Sequence, residues 1–238
     1  MAENFIANTI LKKCITISCD VDYETYAINC VKSIRNVSSV DVMVRTIDFK
    51  SEIIESIYNT TTMVDMVRLS TKKRIKSKID RLDLNNWRHN LCSDRSVYAC
   101  HSRFVNVMEL FKNGYDMVYS IDCDFVFKKN FDSLWSLEGD ISMHDPFDDS
   151  GFEDAILYKN TDNSIKFLRS VNDIISEDPF FWEKDMEAIQ KSKMVCGLKI
   201  SQLPMIYRDH LCSDDSLIWS GYGKSKFNSN FIYEKNCK

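Results

Sequence analysis

Tyr115-Asp116-Met117-Val118-Tyr119-Ser120-Ile121-Asp122-Cys123-Asp124-Phe125-Val126-Phe127 carries a short apolar run straight into two carboxylates one residue apart. The run is rich in β-branched and aromatic residues and follows Gly114, so it predicts a buried strand. Open α/β sheets bind ligands at the carboxyl ends of their strands, where Asp122 and Asp124 would lie. In extended backbone these two side chains face the same way, so the pair can converge on one hard cation. The same two residues also suit a surface turn, where aspartate is common.

Upstream, Cys14-Ile15-Thr16-Ile17-Ser18-Cys19 predicts a strand ending at Asp20. Tyr26, Ala27, Cys30, Val31 and Ile34 then fall on one face of a helix from Thr25 to near Asn36. Val40 to Ile47 predicts the next strand. Strand, helix, strand is the start of a parallel α/β sheet, with Asp20 and Asp22 at the carboxyl end of the first strand. Helix capping accounts for those two acids as well as ligand binding does. Ser51 to Tyr58 predicts a short helix. The basic stretch from Arg68 to Arg81 has Ile75, Ile79 and Leu82 at helical spacing, so it predicts an amphipathic helix with a solvated face; a polyanion site is the alternative. Trp87 to Cys100 reads as a long polar loop.

Ser102 suits the cap of a helix running to Asn113, with Phe104, Val105, Met108 and Phe111 inward and Gly114 as its stop. Arg103 would then sit in the first turn, where the helix dipole disfavours a cation, so an acidic partner is expected, with Asp122 and Asp124 as candidates. Downstream, short strands are expected at Asp140–His144, 155–159 and 198–203, and helices at 165–175 and 185–191. Trp219-Ser220-Gly221-Tyr222-Gly223-Lys224-Ser225-Lys226 has glycines that let backbone approach a ligand and lysines that neutralise phosphate; a flexible basic turn has the same composition.

The 238 residues are 44% hydrophobic and 28% charged with only 3 prolines, an ordinary globular composition for one large domain. A net charge of −4 argues against a nucleic-acid partner. No apolar stretch approaches the ~18 residues of a transmembrane segment, and Met1 to Asn8 has no signal-peptide pattern. The 9 cysteines are odd in number and lack C-x-x-C spacing. They point to reduced thiols and a cytoplasmic setting rather than a zinc site or a disulfide framework.

Taken as an ordered set from about Cys14 to Lys226, these segments resemble the retaining nucleotide-sugar glycosyltransferases of the glycogenin and lipopolysaccharide galactosyltransferase type. The resemblance implies a single Rossmann-like glycosyltransferase A-type α/β domain over residues 1–238, with a mainly parallel central sheet. A nucleotide-binding half would cover about 10–127, and an acceptor half with a closing tail about 128–238. It implies that Asp20, Asp22 and Tyr23 hold uracil and ribose of a UDP-sugar. Arg103 falls on the family's arginine ahead of its Asp-x-Asp motif, and Asp122-Cys123-Asp124 matches that motif, whose aspartates bind Mn²⁺ (or Mg²⁺) and through it the donor diphosphate. Asp185 matches the first residue of the family's Asp-Gln-Asp-Ala segment, with Met186 in place of the glutamine. Ser220, Gly223 and Lys226 fall on its His-x-x-Gly-x-x-Lys motif, so serine stands where the family has a third metal ligand, and Lys226 with Lys224 would meet the diphosphate. His210 is an alternative third ligand. Phe152-Glu153-Asp154-Ala155 takes the place of Phe-Asn-x-Gly.

The expected reaction moves a hexose from a UDP-sugar to a glycan, lipid or protein acceptor, with retention. Inversion would need a carboxylate base, for which Asp185 and Asp154 are candidates. A sugar nucleotidyltransferase would share the sheet and the carboxylate pair, but the chain lacks a glycine-rich phosphate loop after its first strand. A non-catalytic nucleotide-sugar-binding protein on the same fold would fit Met186 and Ser220.

Overall fold

The structure, a computed structural model, describes residues 11–72, 74–75, 91–144, 153–195 and 197–221. The strands in chain order are β1 (Lys13–Asp20), β2 (Asp41–Ile47), β3 (Thr60–Asp65), β4 (Arg74–Ile75), β5 (Leu91–Cys92), β6 (Met117–Ile121), β7 (Phe125–Phe127), β8 (Ile141–Met143), β9 (Ala155–Lys159), β10 (Ile200–Gln202) and β11 (Ile218–Ser220). The α-helices are α1 (Glu24–Val37), α2 (Glu52–Glu55), α3 (Asp94–Lys112), α4 (Asp162–Glu177) and α5 (Lys184–Val195).

Seven strands form one sheet in the order β10-β8-β9-β6-β1-β2-β3. β1 runs parallel to β2 and β6, β2 parallel to β3, and β8 parallel to β10, whereas β9 is antiparallel to both β6 and β8. The sheet is therefore mainly parallel, as expected, with one reversed strand. The chain winds outward from β1 to β3 and then returns to place β6 on the other side of β1. That reversal leaves a crevice at the carboxyl ends of β1 and β6.

Side chains alternate across the pleat. Ile15, Ile17, Val42, Val44, Tyr119 and Ile121 pack with Ala27, Cys30, Val31 and Ile34 of α1 on one face. Cys14, Met43, Val118, Ile156 and Tyr158 pack with Phe104, Val107 and Phe111 of α3 and with Phe167, Leu168 and Val171 of α4 on the other. A two-stranded unit, β7 antiparallel to β11, lies beside this sheet at the crevice.

Three expectations are corrected. The long loop and the Ser102 cap are replaced by a helix that starts at Asp94. Ser93 caps it by accepting the Ser96 N–H at 3.1 Å, and Arg103 falls in mid-helix rather than in the first turn. Val107 rather than Val105 points inward, since Val105 is exposed. The basic stretch is not helical where it is described. Residues 68–72 are irregular and Arg74–Ile75 is a strand, while the rest of it lies outside the described residues. Among the described residues no helix is long and apolar enough to cross a membrane.

Candidate active site

Asp20 ends β1 with its carboxylate buried. One oxygen accepts the Asp22 N–H at 3.1 Å and the other accepts the Ser96 hydroxyl at 2.5 Å. Asp20 thus caps the 3-10 turn Val21–Tyr23 that leads into α1. Asp22 and Tyr23 remain on the surface of that turn. Partial desolvation raises the Tyr23 phenol above its ordinary value, with Cys123 and Asp124 adding to the rise.

The pair itself does not sit in extended backbone. β6 ends at Ile121, residues 123–124 turn, and β7 starts at Phe125. The Asp122 N–H donates to the Asp154 carbonyl at 3.0 Å, and the Asp124 carbonyl accepts the Gly221 N–H at 2.8 Å. The backbone of the two acids is therefore set by a turn braced from two sides, and not by strand periodicity.

Arg103 is buried at the centre of this arrangement. Its Nη1 donates to the Glu153 carbonyl at 2.6 Å and lies 3.4 Å from Asp122 Oδ1; its Nη2 donates to Asp185 Oδ2 at 2.9 Å. Burial works against the guanidinium charge, but Asp185 and Asp122 outweigh it and hold Arg103 above its usual value. The acidic partner expected for Arg103 is present, although the helix-dipole reason for it does not apply in mid-helix.

Asp185 lies in the first turn of α5 and accepts the Met186 N–H at 2.9 Å with its second oxygen. His101, two residues before Arg103, is also buried. Its Nδ1 lies 2.9 Å from the Pro179 carbonyl and so ties α3 to the segment ahead of α5. Burial pushes its pKa down, while Asp185 opposes that shift.

Burial raises the Asp122 carboxyl, Arg103 lowers it, and Asp124, Asp154 and Asp185 raise it further; the net direction is upward. The side chain keeps 39% of its exposure, so water tempers the rise. Crowded carboxylates at a partly open edge are what a bound cation relieves. Oxygen donors from Asp122 and Asp124 fit Mn²⁺ or Mg²⁺. No side chain at Gly221 fills the space at the Asp124 carboxylate. Among the described residues no three of histidine, cysteine, aspartate and glutamate form a metal-holding group, so His210 does not complete a ligand set.

Asp154 is sealed behind this site. Its Oδ1 accepts Arg208 Nε at 2.7 Å and lies 2.7 Å from Arg208 Nη2 in an ion pair, and its Oδ2 accepts the Ser220 hydroxyl at 2.6 Å. With side-chain exposures of 4% for Arg208 and 2% for Asp154, Asp154 has no path to an acceptor and fails as a base candidate. Arg208 and Ser96 were not expected in the site. Arg208 is a cation directly after the apolar Met205-Ile206-Tyr207, which is the one signal that could have flagged it. Gly223, Lys224 and Lys226 lie outside the described residues.

The profile of glycosyl transferase family 8 matches residues 14–172. No curated protein sequence matches the chain. Among solved structures, the glycosyltransferase GlyE of Streptococcus pneumoniae TIGR4 is similar over 95% of this chain and 61% of its own, with 12% identity and a TM-score of 0.61. Its apo form is similar over 90% and 55%, again with 12% identity, at a TM-score of 0.57. The galactosyltransferase LgtC, solved with donor and acceptor sugar analogues, is similar over 94% and 95%, with 11% identity and a TM-score of 0.55. At such identities the likeness is one of fold, and it bears out the expected glycosyltransferase A-type architecture. The chain spans 61% and 55% of the length of the two GlyE structures, less than two thirds.

Proposed function

The chain belongs to glycosyl transferase family 8, and on that premise we propose that it transfers a hexose from a UDP-sugar to a glycan, lipid or protein acceptor with retention of configuration. The observation that carries this reading is Arg103, which joins Asp122 of the carboxylate pair to Asp185 across the crevice between β6 and α5. It links a metal-diphosphate position to a sugar position through one rigid guanidinium. Family membership favours glycosyl transfer over nucleotidyl transfer.

In this reading Asp22 and Tyr23 meet the nucleoside, with Asp20 holding their turn in place. Asp122 and Asp124 hold a divalent cation, which when bound supplies Lewis acidity to the departing diphosphate. Arg103 keeps Asp122 and Asp185 in register while charge shifts toward the phosphate. Asp185 faces the sugar and steers the acceptor hydroxyl. Both Asp185 oxygens are occupied, by Arg103 and the Met186 N–H, and Asp154 is sealed. Same-face attack, with the leaving phosphate oxygen taking the acceptor proton, needs no further carboxylate. Lys224 and Lys226 are assigned to the diphosphate, next to Gly223. Residues about 10–127 would form the nucleotide-binding half, and the following residues the acceptor half and tail. Every described cysteine is a free thiol, which supports a reducing, cytoplasmic setting.

The test is calorimetry of Mn²⁺ with and without UDP, followed by UDP release from a panel of UDP-hexoses. Mn²⁺ affinity that rises with UDP, together with metal-dependent UDP release, is the expected result. UDP binding with no turnover on any donor or acceptor would leave a nucleotide-sugar-binding protein. No coupling between Mn²⁺ and UDP would remove the carboxylate pair as a site.

A further inference from the structure

Gly221 raises a question that its backbone does not answer. Its φ lies outside the left-handed range, so conformation alone would accept another residue. Space would not. A Cβ at 221 would fall 2.7 Å from the Asp124 carbonyl oxygen and 2.8 Å from both Cγ and Oδ2 of the Asp124 side chain. The glycine is there because the Asp124 carboxylate lies against it.

What brings Gly221 to that place is the residue before it. Ser220 ends β11, pairs with Phe125 of β7, and is 0% exposed. Its hydroxyl points inward and donates to Asp154 Oδ2, and its N–H donates to the Asp209 carbonyl at 3.0 Å. In the resembled motif this position carries a histidine that reaches the metal. Here the side chain is turned into the protein and spends its proton on a buried carboxylate.

Asp154 connects both halves of the carboxylate pair. Its main-chain carbonyl receives the Asp122 N–H. Its side chain holds Ser220, which sets Gly221, which abuts Asp124. Arg208 neutralises the Asp154 charge with two donors, so the hub is an ion pair and not a stray anion. Arg208 also directly precedes Asp209, whose carbonyl receives the Ser220 N–H, so the two anchors of Ser220 come from one short segment and its partner.

We propose that Asp154, Ser220 and Gly221 are positioning residues that set the placement of Asp122 and Asp124 for a divalent cation carried by a nucleoside diphosphate, replacing a third metal ligand with a buried brace. The proposal rests on the functional reading above. It predicts a two-carboxylate site whose metal affinity depends on residues that never touch the metal, as second-shell partners do elsewhere.

The experiment titrates Mn²⁺ into the folded protein at saturating UDP, for wild type, Gly221→Ala, Ser220→Ala and Ser220→His, with circular dichroism and UDP affinity in the absence of metal measured alongside. Gly221→Ala should weaken Mn²⁺ by about 10–100-fold and Ser220→Ala by about tenfold, with UDP affinity in the absence of metal unchanged. If Gly221→Ala does not fold, Ser220→Ala, which deletes a single oxygen, carries the test. Wild-type coupling of Mn²⁺ to UDP with unchanged affinity in Ser220→Ala would overturn the brace alone. So would tighter Mn²⁺ binding by a stable Ser220→His, because that position would then still be a ligand position. Absence of coupling in the wild type would instead overturn the functional reading and the brace with it.

Discussion

Two buried arginines lie on either side of the dipeptide Glu153-Asp154, and they do different work with the same chemistry. Arg103 reaches the Glu153 carbonyl and Asp122 with Nη1 and Asp185 with Nη2. Arg208 puts two donors on one oxygen of Asp154. The Arg103 side stays partly open to water through Asp122, whereas the Arg208 pair is closed. A charge network with an open end can be completed by a ligand. One that is closed to water holds the backbone in place, and its removal is felt as lost stability.

The largest effect is expected on the closed side. Arg208→Met strands a buried carboxylate and should lower the free energy of unfolding by about 3–5 kcal/mol. Urea denaturation measures this, and the double replacement Arg208→Met with Asp154→Leu should recover most of the loss, since an apolar pair can replace a buried ion pair. If the single change costs nothing, the contrast between the two arginines collapses.

On the open side the effect should appear as rate. Arg103→Gln is expected to reduce kcat by about a hundredfold, equivalent to about 2.7 kcal/mol. Steady-state kinetics on the preferred donor reads it. A change in KM alone, with kcat preserved, would show that Arg103 binds the donor uniformly and does not act on the transition state.

The smallest effect sharpens the closed side through pH. Burial alone would raise the Asp209 carboxyl, but the Ser216 hydroxyl and the Ser213 and Leu211 N–H groups hold it below the usual carboxylate range. A depressed folded value means stability that is present above the unfolded carboxylate pKa and lost as pH falls through the folded one. Asp209→Asn should therefore cost about 1 kcal/mol at neutral pH. In thermal melts the gap from wild type should narrow as pH drops below about 4. A gap that does not change with pH would make Asp209 a neutral hydrogen-bond acceptor only.

Much of the central sheet is legible in the sequence, and the gaps have physical causes. β1, β2 and β6 announce themselves as short runs buried on both faces, and α1 by an apolar face of helical period. β3 does not, because Thr60-Thr61-Thr62-Met63-Val64-Asp65 is an edge strand with few buried positions. The first turn of α3 reads as loop because Arg95 and Ser96 serve Asp48, Asp20 and the Ser93 cap instead of an apolar core. The apolar run of β9 foretells a strand but not its direction. In the site, the acidic partner of Arg103 was expected and found. Asp154 stood only as a candidate base for inversion, because local sequence does not say which residues approach from elsewhere: Arg208 is 54 positions away and Ser220 is 66.

β11 has a consequence for how the protein is made. Its partner β7 belongs to the middle of the chain, and β11 itself is the last strand described. A ribosome releases residues in order at about 5–20 per second, so β1, β2 and β6 emerge long before Ile218 does. Through that interval Phe125-Val126-Phe127 offers an apolar strand edge with no neighbour, the kind of surface that chaperones cover and that aggregation exploits. The same delay keeps Gly221 from Asp124, so the nascent chain acquires its sheet before the turn at Asp122 and Asp124 gains its second brace.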